Sequence, residues 1–148
     1  MKNDSTELTS LILKAKAYWK YPEEWLDAWT LDLKISPCFI ENNEVVILSI
    51  NNESIGFYGL ECHSTDKAAY LDHLWVDPKY IGKGYGRMLF ELACNKAAEI
   101  GHKTMELVAD PNAEGFYSRL GAIKIDEVHG KVLDVKRVLP KMEVHLQK

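Results

Sequence analysis

The stretch Ile81-Gly82-Lys83-Gly84-Tyr85-Gly86-Arg87 decides how the rest of the sequence is interpreted. Its three glycines alternate with other residues just before a long segment of helical periodicity, and glycine allows the backbone to turn successive N–H groups toward one point. A helix that begins here adds the positive end of its dipole, and Lys83 and Arg87 add full positive charges. The stretch therefore predicts a site for phosphate or pyrophosphate, in preference to a tight turn that binds nothing.

Two other phosphate-binding motifs fit this stretch less well. A P-loop requires Gly-Lys followed by Ser or Thr, which the stretch lacks. The dinucleotide fingerprint GxGxxG, begun at Gly84, would place its third glycine on Leu89. Glu106 lies about where the ribose-binding acid of that fingerprint is expected, so the motif alone leaves this alternative open. The strands predicted before the loop form a meander, which argues against it.

Hydrophobic periodicity predicts an α/β fold with a mixed sheet, in which an antiparallel meander leads into a βαβ unit. Helical spacing predicts helices from Ser5 or Thr6 to about Lys20, from Pro22 onward, over about 84–100 and over about 112–120. Apolar runs rich in β-branched residues predict strands near 45–50, 55–62, 69–76, 104–109, 122–128 and 138–146. Because a helix joins the third and fourth strands, we expect them to be parallel neighbours.

Two of the predicted helices are expected to bury one apolar stripe each. In the first helix the stripe comprises Leu8, Leu11, Ile12, Ala15 and Trp19. In the long helix after the glycines it comprises Leu89, Leu92, Ala93, Ala97 and Ile100.

Asp-Pro corners follow the third and fourth predicted strands, at Asp77 and Asp110. Ligands of sheets with parallel neighbours lie beyond the carboxyl ends of the strands. The segments 77–87 and 110–117 are therefore the loops that we expect to form the site.

Composition indicates one globular domain over residues 1–148. Hydrophobic residues make up 47% of the chain and charged residues 27%, and no linker or repeat interrupts it. The net charge of −4 provides no general positive field for a nucleic acid. The apolar runs fall far short of the ~20 residues that a membrane-spanning helix needs. We therefore expect no nucleic-acid partner and no membrane span.

Cysteine and histidine usage indicates a cytoplasmic protein without a metal site. Cys38, Cys62 and Cys94 are far apart and form no CxxC pair, which predicts reduced and mostly buried thiols. The first residues lack the apolar stretch of a secretory signal. The five histidines show neither HxH nor HExxH spacing, so no metal ligand set is expected.

Three segments together resemble the GNAT-type N-acetyltransferase superfamily: Leu74–Pro78, Gly82–Arg87 and Asn112–Ala122. The resemblance spans roughly 45–128 and implies the acyl-CoA N-acyltransferase fold. It also implies acetyl-CoA as co-substrate and direct transfer of the acetyl group to a primary amine of a small molecule or peptide. The family's pyrophosphate pattern, Gln/Arg-x-x-Gly-x-Gly/Ala, begins here with Ile81, which removes one side-chain contact to the cofactor.

The resemblance also implies roles for individual residues. Backbone groups of Leu74 and Val76 would pair with the pantetheine arm as an added strand, in a gap where the third strand splays from the fourth. Asn112 would help to hold the cofactor, and Tyr117 aligns with a tyrosine near the thioester sulfur. The implied acetyl-CoA contacts are Leu74, Trp75, Val76, Ile81, Gly82, Lys83, Gly84, Tyr85, Gly86, Arg87 and Asn112.

Acetyl transfer to an amine needs a protonated leaving thiol and a neutral amine. A phenol with a pKa near ~10 stays protonated at neutral pH, so Tyr117 is the candidate acid. Asp72 lies two residues before Leu74 on the same strand face and is the candidate base. Tyr70, Glu61 and His73 remain alternatives, as does catalysis without a base. A main-chain N–H near Leu74 or Trp75 would donate to the developing oxyanion.

We expect the pocket for the acceptor amine among the aromatic residues near the junction of the first two predicted helices. Trp19 and Trp25 are the first candidates, although core packing is the alternative for most of these rings. The resemblance adds a loop at about 129–136, and the acidic chain favours a cationic amine. The resemblance also implies a homodimer, for which the final predicted strand is the expected contact.

Other functions remain open at this level. The chain would bind coenzyme A or a nucleotide without catalysis if it served as a sensor, and a protein with a purely structural role would bind neither. Cys94 lies inside a predicted helix, away from the expected site, and is a poor candidate for a covalent nucleophile.

Overall fold

The structure, a computed structural model, describes residues 2–19, 21–32, 35–62 and 66–146. Its helices are α1 (Lys2–Tyr18), α2 (Glu23–Asp32), α3 (Pro37–Asn42), α4 (Tyr85–Ile100) and α5 (Glu114–Arg119). Its strands are β1 (Glu44–Ile50), β2 (Glu53–Glu61), β3 (Ala69–Val76), β4 (Thr104–Val108), β5 (Ile123–Val132) and β6 (Val135–His145). Short 3-10 turns cover Pro78–Tyr80 and Pro111–Ala113. The mixed α/β class is confirmed.

The strands form one six-stranded sheet in the order β1-β2-β3-β4-β6-β5. β3 and β4 are parallel, with Ala69 opposite Met105 and Tyr70 opposite Glu106, as expected for strands joined by a helix. β6 is antiparallel to both β4 and β5. The register with β4 covers Lys141–His145 and the register with β5 covers Val135–Glu143, so both edges of β6 are paired only where these ranges overlap. The homodimer stays a prediction.

The chain divides into two compact units. The first comprises Met1–Gly59 and His73–Phe90, and the second comprises Leu60–Asp72 and Glu91–Lys148. The core of the first contains Leu8, Leu11, Ile12, Ile35 and Phe57. Fully buried side chains of the second include Met105, Leu107 and Met142. A single domain over residues 1–148 remains a prediction.

The start and the buried stripe of α1 differ from the prediction. Ser5 and Thr6 lie inside the helix, and the Ser5 hydroxyl donates to the carbonyl of Ile35 in place of capping α1. Leu8, Leu11, Ile12 and Ala15 are buried as predicted, but Trp19 is 41% exposed. Trp19 follows the last helical residue, so helical spacing does not determine where its side chain lies.

The long helix α4 also buries a slightly different face. Leu89, Ala93 and Ala97 are buried as predicted, whereas Leu92 is 42% and Ile100 37% exposed. Phe90 is buried instead. The buried face of α4 is therefore rotated toward Phe90 and away from Leu92. Ile100 is the last residue of the helix.

Helix α3 and the continuation of β5 and β6 through residues 129–136 were not predicted. Helix α3 begins with Pro37, and the Ser36 hydroxyl accepts a hydrogen bond from the Phe39 N–H at 3.0 Å, which is an N-cap signal that was present in the sequence. The expected loop at 129–136 is wrong, because β5 and β6 continue through it and turn only at Leu133 and Asp134. Most side chains of β5 are exposed. The strand therefore lacks the alternation of buried and exposed residues by which a half-buried strand is recognised in a sequence.

Candidate active site

The corner at Asp77 determines where β3 ends. The Asp77 side chain is buried, and its main-chain N–H donates to the carbonyl of Ile55 at 2.7 Å. Its Oδ1 accepts from the N–H of Lys79 at 3.0 Å and so caps the 3-10 turn that follows. These hydrogen bonds fix the backbone at the predicted Asp-Pro corner, which leads into the glycine loop.

The glycine loop depends on backbone conformations that other residues rarely adopt. Gly82 has a φ of 84° and Gly84 a φ of 87°, and both are exposed. A Cβ at either position would meet no atom within 4 Å, so these glycines are required for conformation and not for space. The N–H of Met88 donates to the carbonyl of Gly84 at 3.1 Å, which makes Gly84 the residue from which α4 starts.

The first turn of α4 combines backbone donors with positive charge. The N–H groups of Tyr85, Gly86 and Arg87 have no acceptor within the helix, since the first turn has no preceding carbonyls. The helix dipole adds about half a positive charge at this end. Lys83 and Arg87 are exposed and supply two cations on the same short segment. This arrangement can bind an anion such as a pyrophosphate.

The residues before the corner, Leu74, Trp75 and Val76, are half-buried at the carboxyl end of β3. The indole Nε1–H of Trp75 donates to Nδ1 of His73 at 3.0 Å. Burial lowers the pKa of His73 to about 4, so the imidazole is neutral near pH 7 and can accept this bond. His73 therefore orients Trp75, and the nitrogen that accepts from the indole is not available as a base.

Gly56 is a site residue that the sequence analysis missed. A Cβ at Gly56 would lie 2.9 Å from the main-chain oxygen of Trp75 and 3.1 Å from Cδ1 of Leu89. Only glycine allows β2 to approach the Trp75 main chain this closely. Glycine in the interior of a strand was the signal that could have indicated it.

In the second unit, Tyr117 is buried on the short helix α5. Burial raises the pKa of its phenol, and the carboxylate of Asp110 raises it further. The phenol therefore stays protonated throughout the physiological range and can donate a hydrogen bond or a proton. The Phe116 ring packs edge-on at 5.0 Å and is only partly buried.

The Asp110 corner holds the segment before Tyr117. Its Oδ1 accepts from the main-chain N–H of Asn112 at 2.9 Å and from the Asn112 side-chain amide at 3.1 Å. Its Oδ2 lies 3.8 Å from Nη2 of Arg137. Asn112, which the resemblance assigned to the cofactor, is exposed, and its amide bonds to Asp110 here.

Asp72, the candidate base, is exposed on β3, yet the nearby sheet removes enough water from its carboxyl group to raise its pKa. The pKa of Tyr70 is raised by burial first and then by the carboxylates of Asp72, Glu61 and Glu106. These groups form an acidic surface around Tyr70. Nζ of Lys141 lies 3.3 Å from Oε1 of Glu106 and neutralises part of it.

The two candidate acceptor residues have different surroundings. Trp25 is half-buried and stacks on Tyr21 with ring centroids 5.7 Å apart, and it packs edge-on against Trp29 at 5.9 Å. Nζ of the buried Lys16 lies 4.2 Å from the Trp29 ring, a cation–π contact. Trp19 is exposed and packs edge-on against Tyr18, so it is not part of a core.

The thiols are less buried than expected. Cys38 is exposed, and Cys62 and Cys94 are partly buried, so the prediction of mostly buried thiols is wrong. Burial and the Glu91 carboxylate raise the pKa of Cys94 to about 11, which leaves it a protonated thiol.

The described residues contain no cluster of three or more His, Cys, Asp or Glu side chains that could hold a metal ion. Within the same residues, every helix is too short or too polar to cross a lipid bilayer.

Comparison with known proteins gives the family. The family described as the acetyltransferase (GNAT) family matches residues 10–122. The chain belongs to the GNAT acetyltransferases. An uncharacterized N-acetyltransferase of Methanocaldococcus jannaschii is 26% identical over 93% of the chain. The chain spans 64% of the length of that relative.

Solved GNAT structures share the fold along almost the whole chain. A GCN5-related N-acetyltransferase from Rhodopseudomonas palustris superposes with a TM-score of 0.82 at 19% identity, and the match covers 99% of this chain and 92% of that one. The PaiA N-acetyltransferase from Thermoplasma acidophilum, solved in complex with coenzyme A, superposes with a TM-score of 0.78 at 18% identity over 97% of this chain and 93% of that one. The GNAT fold inferred from the three sequence segments is confirmed.

Proposed function

We propose that this GNAT chain is an N-acetyltransferase that uses acetyl-CoA and transfers the acetyl group directly to a primary amine of a small molecule or peptide. The observation that carries the proposal is the glycine loop, with left-handed backbone at Gly82 and Gly84 immediately before α4. A backbone of this form turns N–H groups outward to an anion. The coenzyme A bound to the Thermoplasma relative supports pyrophosphate as that anion.

The loop would hold the two phosphates mainly through the main chain. The N–H groups at the start of α4 donate to the phosphate oxygens, and Lys83 and Arg87 add charge. Ile81, which stands where the family has Gln or Arg, is 45% exposed and offers no hydrogen bond from its side chain. Affinity for the cofactor therefore depends more on the backbone than in relatives that carry the polar residue.

The carboxyl end of β3 would hold the pantetheine arm. The register of β3 with β4 covers Ala69 and Tyr70, and the residues assigned to pantetheine, Leu74 and Val76, come after it. An extended arm can add to such main-chain groups as a further strand does. A main-chain N–H at Leu74 or Trp75 would donate to the thioester oxygen as it becomes negative.

The chemical step forms one bond and breaks one. The nitrogen of the neutral amine attacks the thioester carbonyl, a C–N bond forms, and the C–S bond breaks. The thiolate of coenzyme A takes its proton from the phenol of Tyr117, whose pKa is raised by burial. The proton lost by the amine goes to the Asp72 carboxylate or directly to water, and the Tyr117 phenolate recovers its proton from water.

The test begins with calorimetric titration of acetyl-CoA and desulfo-CoA, followed by measurement of free thiol release with a panel of primary amines. We expect both acetyl-CoA and desulfo-CoA to bind. We expect thiol release from acetyl-CoA to occur only when a suitable amine is present. Absence of binding at millimolar concentration would overturn the proposal. Binding without turnover across the whole panel would favour the non-catalytic sensor.

A further inference from the structure

The ion pair between Asp110 and Arg137 is much less exposed than other ion pairs of the described residues. The two side chains are 11% and 12% exposed, compared with 65% and 48% for Lys79 and Glu53. Removing charges from water is unfavourable unless each charge is paired and hydrogen-bonded. A pair buried to this degree therefore adds little to stability, and its value to the protein lies in what it holds in place.

The Oδ1 contacts of Asp110 act on the segment that leads to Tyr117. Oδ1 accepts both hydrogen bonds from Asn112 and caps the 3-10 turn, and Oδ2 faces Arg137. Helix α5 starts directly after this turn, has only six residues, and its N-cap residue Ala113 makes no side-chain capping hydrogen bond. The position of Tyr117 therefore depends on the turn that Asp110 holds.

Arg137 reaches this corner from the paired strand β6. It lies on β6 opposite Gly130 of β5, and β6 is also paired with β4. The N–H of Ala109, next to Asp110, donates to the carbonyl of Pro140 on β6 at 2.9 Å. The guanidinium and the carboxylate are thus carried by backbone segments that are themselves hydrogen-bonded to each other.

We propose that Asp110 and Arg137 are positioning residues for Tyr117: the carboxylate, paired with the guanidinium, fixes the turn from which α5 and its phenol start. The inference rests on the proposed function, because only there does Tyr117 have a proton to deliver. The carboxylate also disfavours ionisation of the phenol, in agreement with this role. Arg137 compensates the charge of Asp110 so that a carboxylate can be kept at this buried corner.

A double-mutant cycle on the full chain tests the proposal. Asp110→Asn is measured alone and together with Tyr117→Phe, with acetyl-CoA and the best amine from the panel. We expect Asp110→Asn alone to lower kcat about tenfold and to leave the KM for acetyl-CoA within about twofold. In the Tyr117→Phe background the same change should lower kcat no further, since the group it positions is absent.

Two further variants control the cycle. Arg137→Lys keeps the charge and should retain more of kcat than Arg137→Met, so the pair can be tested even where Asp110→Asn fails to fold. Glu127→Gln removes the carboxylate of the exposed Lys124–Glu127 pair, also in the second unit, and should leave kcat unchanged.

The outcomes separate this inference from the proposed function. A wild-type kcat in Asp110→Asn, or an equal loss with and without the Tyr117 hydroxyl, would overturn the positioning role alone. A wild-type chain that releases no thiol with any amine would overturn the proposed function and this inference with it.

Discussion

The glycine loop and the Asp110–Tyr117 corner would serve their proposed functions in opposite ways. The loop is exposed, local in sequence and made of backbone groups whose directions depend on the φ angles of Gly82 and Gly84. At the corner Tyr117 is buried, and the pKa of its phenol is raised by that burial and by a carboxylate that pairs with an arginine from another strand. Backbone recognition of an anion can therefore be predicted from a short motif, whereas the environment of a buried phenol cannot.

The largest effect should come from the corner. Tyr117→Phe removes the proton donor but keeps the ring, so kcat should fall by about 100-fold or more. Calorimetric affinity for acetyl-CoA should stay near the wild-type value, because the loop is untouched. An unchanged kcat would show that the buried phenol has only a packing role.

The second-largest effect should come from the glycine loop, where a substitution should weaken the binding of acetyl-CoA. Gly84→Val places a side chain where φ is 87°, which costs about 1–2 kcal/mol of backbone strain or moves the N–H groups away from the anion. We expect the Kd for acetyl-CoA to rise by about tenfold or more. Gly130→Ala, in open space and without a positive φ, is the matched control and should bind as the wild type does. Equal affinities for Gly84→Val and the control would contradict the proposed loop site.

A third substitution separates stability from function. Gly56→Ala brings a Cβ to 2.9 Å from the Trp75 oxygen, which should lower the free energy of unfolding by about 1–3 kcal/mol. Gly115→Ala, within α5 and with 3.6 Å to its nearest neighbour, should raise it by about 0.5–1 kcal/mol. Urea unfolding of both variants checks the signs, and a neutral Gly56→Ala would show that β2 and β3 are free to move apart.

A further effect concerns pH and the hydrogen bond that orients Trp75. The folded-state pKa of His73 is about 4, below its ordinary 6.5, so the unfolded chain binds a proton first as the pH falls. Stability should therefore decrease between pH 6.5 and 4, by at most about 1.4 kcal/mol per pH unit from this group. His73→Gln, which keeps a hydrogen-bond acceptor, should reduce that slope in urea unfolding at several pH values. Identical slopes would mean that His73 is not neutral in the fold.

Prediction from the sequence succeeded where the cause of a structural feature was local. The parallel pairing of β3 and β4 follows from the helix between them, and the Asp77 corner follows from an Asp-Pro pair after an apolar run. It failed at Trp19, which lies beyond the last turn of α1, and at residues 129–136, which form strands without a buried face. In both places the outcome depends on what packs nearby and not on periodicity.

By itself, the sequence determined the strand-loop-helix arrangement, the family and the glycine loop, because left-handed backbone and helix starts are encoded in a few adjacent residues. Only the tertiary structure decided that Asp110 meets Arg137, that Gly56 admits the Trp75 oxygen and that His73 accepts from the indole. These contacts join residues whose approach requires the folded sheet, and the charge and hydrogen-bonding state of a buried group depends on every neighbour that replaces its water.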